Sequence, residues 1–194
     1  MVKLAQDLRT EATHVSCSQR PITISWGLVK RLFVNVTHKS LSDDTFLSWF
    51  SVVLKAARLP SDAIIFQIHE SEATAYIKQA TKFAQGVAQL HCKTSINHFG
   101  CSLNPFNLLK HMTPDFVKLD GSFAAEIEDN EEKQKELIEM VEALQAQGVL
   151  TGIAGVESPG VLQTLWMAGI NYIQGYYISP PLETMDYDFE SESL

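Results

Sequence analysis

Polar side chains recur at the points where otherwise apolar, strand-like segments end. Each has a structural explanation when it is taken alone: Asn35 as a turn cap, Lys118 as an extended stem with its amine in solvent, and Glu157 as a helix cap. Packing alone would not choose amides, carboxylates and an ammonium group repeatedly at equivalent places. The pattern therefore predicts a polar site assembled from several strand ends. Its members are Asn35, Gln67 with Glu70, Asn97 with His98, Lys118 with Asp120, Glu157 and Gln174.

The segments that must position these residues alternate between strand and helix. Apolar and β-branched runs predict strands at RLFVNV (31–36), DAIIFQIH (62–69), CKTSIN (92–97), FVKLD (116–120), VLTGIAGV (149–156) and INYIQGYYI (170–178). Helical spacing and caps predict helices from Ser42 or Asp43 to before Pro60, along Ala73 to Leu90, from Asn104-Pro105 to His111, from Glu131 to Gln147, and from Ser158-Pro159 to Ala168.

Strand–helix alternation with short connections predicts a mainly parallel sheet with helices outside it. Several apolar strands favour a (β/α) barrel over a flat doubly wound sheet, although periodicity alone leaves both open. No glycine-rich phosphate loop follows any predicted strand, which weakens the dinucleotide-binding alternative. In a barrel, functional residues stand at the C-terminal ends of the strands, where the polar positions above fall.

Composition narrows the function classes. The 194 residues carry 15 basic and 23 acidic side chains, a net charge of −8, which does not suit nucleic-acid binding. A bound anion would have to be held by a few placed groups instead. No apolar run is long enough for membrane insertion, and MVKLAQDLRTEA lacks the apolar centre of a signal peptide. The three cysteines, Cys17, Cys92 and Cys101, lack metal-ligand spacing, and their odd number suits a reducing cytoplasm.

Four segments, in order, resemble motifs of the EAL domains, bacterial phosphodiesterase domains that handle cyclic di-GMP. FVNVT resembles the family's N-x-S/T strand, FQIHE its E-x-T-E segment, FVKLDGSF its K-x-D segment, and GIAGVESPGVLQTLWMAGINYIQGYYISPPL its A-E-G-V-E to Q-G-Y stretch. The resemblance covers about Arg31 to Leu182. It implies a TIM-like (β/α) barrel of the EAL type over residues 1–182, followed by an acidic, flexible tail at 183–194.

Within that family, the segment from HCKTSINHFG to FVKLDGSF is most similar to the degenerate EAL domains of FimX-type regulators of type IV pili and twitching motility. Active EAL domains hold two Mg²⁺ or Mn²⁺ ions with acidic ligands. The resemblance places Gln67 at the metal-binding glutamate, and Asn97 and His98 at the paired aspartates. Because amides bind hard cations far more weakly than carboxylates, we expect no phosphodiesterase activity and no Mg²⁺ or Mn²⁺ cofactor.

The resemblance implies cyclic di-GMP as the ligand instead. Tyr176 or Phe99 would offer a stacking face for a base. The residues expected around the ligand are Arg20, Asn35, Glu70, Lys118, Asp120, Glu157 and Gln174.

The E-x-L motif that names the family does not stand where the resemblance requires it. RPITISWG (20–27) resembles the family's opening Q-P-I strand, with Arg20 in the glutamine position, and the chain passes at Gly27-Leu28 directly towards RLFVNV. The E-x-L strand and the first long helix are missing from between them: either the protein lost them, or the sequence omits a segment. In FimX-like receptors this strand and its flanks supply an arginine and further ligand contacts. Losing two charged contacts would weaken binding about a hundredfold or more.

Three functions remain open at this point. The first is a catalytically inactive EAL domain that acts as a cyclic di-GMP receptor in pilus or motility regulation, with a PilZ-type protein partner and edge-strand pairing as one mode of contact. The second is a scaffold that no longer binds nucleotide. The third is a residual phosphodiesterase.

Overall fold

The computed structural model describes residues 31–57 and 60–180. Within these ranges a single parallel sheet contains six strands, and their spatial order is their order in the chain. An order that never reverses is the winding of a barrel, whereas a doubly wound sheet reverses at a switch point. The strands are β1 (Leu32–Val36), β2 (Ile64–His69), β3 (Lys93–Phe99), β4 (Phe116–Leu119), β5 (Leu150–Ile153) and β6 (Tyr172–Ile173).

The barrel is not closed within the described ranges, because β1 and β6 each pair with one neighbour only. This confirms the prediction of an incomplete TIM-like barrel. The predicted break at Gly27-Leu28, the segment with Arg20, and the domain boundary at residue 182 with its acidic tail all lie outside the described residues.

Helices follow the strands and cover the outside of the sheet. Among the described residues they are α1 (His38–Ser42), α2 (Phe46–Ala57), α3 (Glu70–Ala75), α4 (Ile77–Gln89), α5 (Phe106–Leu109), α6 (Gly121–Glu126), α7 (Glu131–Gln145) and α8 (Leu162–Met167). Short 3₁₀ turns at Ser61–Ala63 and Pro159–Val161 lead into β2 and α8. None of these helices in the described ranges has both the length and the apolar sequence that crossing a membrane requires.

Strand periodicity divides the buried side chains into two groups. Along β2, Ile64, Phe66 and Ile68 belong to the main core between sheet and helices, where Phe83 and Val87 of α4 also lie. The alternate residues point into the barrel, as the two-residue period of a strand requires. Phe116 lies inside and contacts the ring of Phe33 at 5.6 Å and that of Tyr172 at 5.8 Å.

Two predicted helices differ from the observed ones because of local contacts. Asp43 does not open a helix: its carboxylate accepts hydrogen bonds from the amide and hydroxyl of Thr45, at 2.8 and 2.6 Å, and forms a turn between α1 and α2. The predicted helix over residues 73–90 is two helices, α3 and α4. Tyr76 separates them with φ −119° and ψ 46°, and its ring stacks on His38 at 5.4 Å.

The last predicted strand is also shorter than expected. It ends at Ile173, and two residues later the backbone approaches Val156 so closely that a Cβ at Gly175 would lie 1.9 Å from the Val156 carbonyl oxygen. The chain then turns, with the amides of Ile178 and Ser179 donating to the carbonyl of Gly175 at 3.1 Å each. Gln174 therefore lies at the junction of strand and turn.

Candidate functional site

The C-terminal ends of the strands bring together most of the predicted site residues. Parallel register places Asn35 of β1 beside Gln67 of β2, and His69 of β2 beside Asn97 of β3. Lys118 lies near the end of β4, and Gln174 directly follows β6. The polar positions predicted from sequence thus share one end of the barrel.

Gln67 is among the most deeply buried of the predicted polar positions, at 1% exposure. Its side-chain nitrogen donates to the amide oxygen of Asn35 at 2.8 Å. A buried amide of this kind needs partners, and the neighbouring strand supplies one. The two amides form a neutral pair at the mouth of the barrel.

A bulge at the end of β3 positions Asn97 and His98. The register with β4 shifts between Ile96 and Phe99, and His98 has a left-handed backbone with φ 53°. The side-chain oxygen of Asn97 accepts from the amide of His98 at 2.9 Å, which stabilises the bulge. Bulges re-aim side chains, and this one places the His98 ring at the strand ends.

The bulge also explains why one prediction is wrong. Phe99 was expected to offer a stacking face for a base, but it is fully buried, at 0% exposure. The extra residue turns Phe99 to the helix-facing side of the sheet, where its ring packs edge-on against Phe106 at 5.7 Å. Tyr176 is 65% exposed and remains a candidate stacking surface.

Asp120 holds the His98 ring. Its Oδ2 lies 2.6 Å from His98 Nδ1, and its Oδ1 accepts from the amide of Ser122 at 2.9 Å, which caps α6. Burial would raise the pKa of Asp120, but the hydrogen bonds from Ser122 and His98 outweigh it and lower the pKa to about 2. The carboxylate is therefore ionised at neutral pH.

His69 completes this group, although no motif in the sequence singled it out. Its ring stacks on His98 with centroids 4.6 Å apart and planes at 22°. Burial lowers the pKa of His69, and its electrostatic interaction with His98 lowers it further. Its place as the last residue of β2, one position before Glu70, is the signal that could have identified it.

Lys118 is a buried cation whose bonding partner is uncharged. It is 4% exposed, and its ammonium donates to the side-chain oxygen of Gln174 at 3.2 Å. Burial lowers the pKa of Lys118 to about 7. No carboxylate within the described ranges bonds to it.

Glu70 directly follows β2, at the strand end where the sequence predicts it, and its carboxylate is bonded to the protein. It is 1% exposed, and its carboxylate accepts from the amides of Gly100 and Cys101, at 2.9 and 3.1 Å, and from the hydroxyl of Ser102. These contacts tie the start of α3 to the loop after β3. Glu70 is an anchor of that loop, with its oxygens directed to protein donors rather than to the barrel mouth.

Glu157 follows β5 and is exposed, while Arg20 lies outside the described residues. Two surface cavities lie elsewhere, one between α2 and α4 beside Leu47 and Gly86, and another beside Leu54 and Pro60. Across residues 31–57 and 60–180, no three His, Cys, Asp or Glu side chains are grouped so that they could hold a metal ion.

The family model and the similar solved structures agree on one family. The model of the EAL domain matches residues 19–181. The chain is similar to the FimX EAL domain of Pseudomonas aeruginosa, solved bound to c-di-GMP, with 50% identity and a TM-score of 0.78 over 82% of this chain and 65% of that one. The Xanthomonas citri FimX EAL domain, solved in complex with c-diGMP, matches at 26% identity and a TM-score of 0.79, over 96% of this chain and 70% of that one.

A curated relative carries an enzyme's name. The cyclic di-GMP phosphodiesterase PdeF of Escherichia coli K12 is 27% identical over 164 residues, which are 84% of this chain and 22% of that protein. The chain spans about a fifth of the length of the first curated relatives that it matches.

Proposed function

The chain belongs to the EAL-domain family, and from that premise we propose that it is a cyclic di-GMP receptor without phosphodiesterase activity. The observation that carries this proposal is the kind of side chain at the strand ends. Neutral amides and an imidazole lie at the strand ends where the resemblance predicts the carboxylates of a metal-dependent phosphodiesterase, and the buried Lys118 has no carboxylate bonded to it among the described residues.

The donor set does not fit two hard cations. Mg²⁺ and Mn²⁺ prefer anionic oxygen ligands. At these strand ends, Gln67 and Asn35 are neutral amides, and they are hydrogen-bonded to each other at 2.8 Å. The oxygen of Asn97 accepts from the His98 amide, and the Glu70 carboxylate is occupied by three donors of the following loop. Activation of water by paired metal ions therefore has no support in these residues.

The same strand ends suit an anion. Lys118 is held in a low-dielectric position, where a charge without a counter-ion is costly, and its partner Gln174 offers only an amide oxygen. A phosphodiester placed beside Lys118 would restore the missing negative charge. Glu157 would accept from a guanine edge, and Tyr176 would stack on a base. Asn35, Asp120 and Gln174 stay in the proposed site, with Arg20 as a predicted member.

We further propose that the bound state is communicated to a protein partner, with a PilZ-type domain as the candidate and pilus or twitching motility as the process. The support is the similarity to FimX EAL domains. The unpaired edges of β1 and β6 within the described ranges offer one mode of contact, addition of a strand. Co-elution of the chain with a PilZ-domain protein in size-exclusion chromatography, with and without cyclic di-GMP, tests this part; separate elution in both conditions contradicts it.

Turnover is tested by incubating the chain with cyclic di-GMP and Mn²⁺ and separating the products by chromatography. We expect intact ligand and no linear dinucleotide. The matched variant Gln67→Glu/Asn97→Asp/His98→Asp supplies three carboxylates at the same positions. It should bind Mn²⁺ about tenfold more tightly or better in a calorimetric titration. Hydrolysis by the unmodified chain would overturn the proposal of inactivity.

A further inference from the structure

His98 has a backbone conformation that its side chain does not favour. Its φ of 53° lies in the left-handed region, which disfavours residues with a Cβ. Such strain persists where the surroundings impose it, and it concentrates at binding sites. The ring is not there to fill the core, because 41% of the side chain is exposed.

The ring is held from two sides. Asp120 Oδ2 lies 2.6 Å from Nδ1, and the face of the ring stacks on His69 with centroids 4.6 Å apart. His69 is itself fixed, since its Nδ1 lies 2.9 Å from the hydroxyl of Ser71 and accepts from the Ser71 amide at 3.3 Å. The imidazole of His98 therefore has a set position before any ligand arrives.

The second ring nitrogen of His98 is available. Asp120 is ionised and can only accept, so Nδ1 carries a proton and donates to it. Nε2 makes no hydrogen bond to any residue of the described ranges. An imidazolium donates from both nitrogens, and a charge-assisted bond to a phosphate oxygen is the strong form of that interaction.

Lys118 offers a second donor from the adjacent strand end. It lies two residues before Asp120, on β4, and β4 pairs directly with β3. A phosphodiester has two non-bridging oxygens and one negative charge, so donors from two neighbouring strands match its chemistry. We propose that His98 Nε2 donates a hydrogen bond to a phosphodiester oxygen of bound cyclic di-GMP, which makes binding independent of metal ions. This inference rests on the receptor function proposed above.

Other titratable groups surround the imidazole pair. Glu70 and Glu72 of α3 act on His69, and Asp120 acts on His69 and Cys101. Glu70 is bonded to the loop after β3, and Glu72 lies 3.6 Å from Nδ1 of His38. The carboxylate bonded to His98 is that of Asp120, whose Oδ2 lies 2.6 Å from Nδ1 of the ring.

A second histidine provides a matched control. His91 precedes β3 at its opposite end, has nearly the same left-handed φ of 56°, and is exposed. Asparagine tolerates this conformation, so His98→Asn and His91→Asn each remove one imidazole with little backbone cost. Isothermal titration with cyclic di-GMP in excess EDTA compares the two variants with the unmodified chain. We expect His98→Asn to raise the Kd about tenfold or more, and His91→Asn to leave it within about twofold.

The outcomes separate the two proposals. If the unmodified chain binds and His98→Asn binds equally well, the His98 contact is wrong and the receptor function stands. If the unmodified chain does not bind cyclic di-GMP, both are wrong. If Mg²⁺ in place of EDTA tightens binding of the unmodified chain tenfold or more, metal independence is wrong.

A spectroscopic measurement distinguishes contact from a purely structural role. In ¹⁵N-labelled unmodified protein, the Nε2 resonance of His98 should shift when cyclic di-GMP is added, while both ring resonances of His91 stay in place. An unmoved His98 Nε2 resonance at saturating ligand would contradict the proposed bond, whatever the variant's affinity.

Discussion

The two ends of the barrel interior are built from the same strands but serve opposite purposes. At the amino-terminal end, the ring of Phe116 packs against those of Phe33 and Tyr172. At the carboxyl-terminal end, the interior positions are amides, a lysine and an imidazole, each held by hydrogen bonds. One end supplies packing, and the other is the proposed ligand site.

This difference between the two ends shows which of them lowers the stability of the fold. Buried aromatic rings gain from both transfer and packing, whereas a buried lysine without a counter-ion is destabilising. Lys118 and the strained backbone of His98 both lie at the carboxyl-terminal end. Substitutions at the two ends should therefore have opposite signs in stability.

The largest loss of stability is expected at the amino-terminal end of the barrel interior. Phe116→Ala removes a ring that is 5% exposed and contacts two others, so the free energy of unfolding should fall by about 3–5 kcal/mol. Urea denaturation followed by circular dichroism measures it. Tyr176→Ala, at a ring that is 65% exposed, is the control and should change stability by less than about 0.5 kcal/mol. Equal losses in the two variants would contradict the packing role of Phe116.

Lys118→Met should stabilise the fold and abolish ligand binding. The pKa of Lys118 is lowered to about 7 from 10.5, a shift worth roughly 4–5 kcal/mol, and the lost bond to Gln174 offsets about 1–2 kcal/mol of that gain. A net gain of about 2–4 kcal/mol in urea denaturation is therefore expected at pH 7 and below.

The sign of the pH dependence of stability follows from the protonation of Lys118 in the folded and unfolded states. Below pH 7 both folded and unfolded chains hold the proton, so the cost of burying the charge is complete. Between about pH 7 and 10.5 the unfolded chain binds more protons, so stability of the unmodified protein rises with pH. The Lys118→Met variant should lack that rise. A rise of the same size in the variant would show that Lys118 is not its source.

As the pH rises above about 7, the affinity for cyclic di-GMP should fall, whereas the stability of the fold should increase. A phosphodiester favours the charged form of Lys118, so binding takes up a proton when the pH exceeds about 7. The Kd for cyclic di-GMP should rise about tenfold between pH 7 and 8.5. Titrations in buffers of different ionisation enthalpy measure the proton uptake, and a Kd that is constant over this range would contradict it.

The smallest change in stability is expected within β3, between the two ends of the barrel interior. Ser95 is fully buried, and its hydroxyl has no hydrogen-bond partner in the part of the chain that the structure describes. Ser95→Ala should therefore raise stability by about 0.5–1 kcal/mol. Thr151→Val is the contrasting change, since the Thr151 hydroxyl accepts from Gln145 at 3.0 Å, and it should lower stability by about 1 kcal/mol. A loss in both variants would mean that Ser95 is bonded in solution.

Sequence patterns located the strands and the end at which the polar residues meet. Apolar runs predicted β2 and β4 with nearly the observed bounds, because a strand that is buried on both faces has an almost continuous apolar sequence. The rule that functional residues follow barrel strands placed Asn35, Gln67, Lys118 and Gln174 together. The helix predicted from Glu131 to Gln147 is observed as α7, Glu131–Gln145.

What the sequence could not give depends on contacts between distant residues. The bulge at His98 reverses the alternation after it, so Phe99 turns into the core, and no local signal announces the extra residue. Glu70 bonds to the amides of Gly100 and Cys101, about thirty positions later, which makes it an anchor of that loop. Tyr76 leaves the helix where its ring meets His38, a contact that helical periodicity does not contain.

The most direct test of the central claim combines binding and recovery in one titration. Cyclic di-GMP is added to the unmodified chain in EDTA while the heat is recorded, excess Mn²⁺ is then supplied, and the nucleotide is recovered and separated by chromatography. The account predicts saturable binding of one ligand per chain and full recovery of the cyclic dinucleotide. Absence of saturable heat at high micromolar ligand, or conversion to the linear dinucleotide, would contradict it.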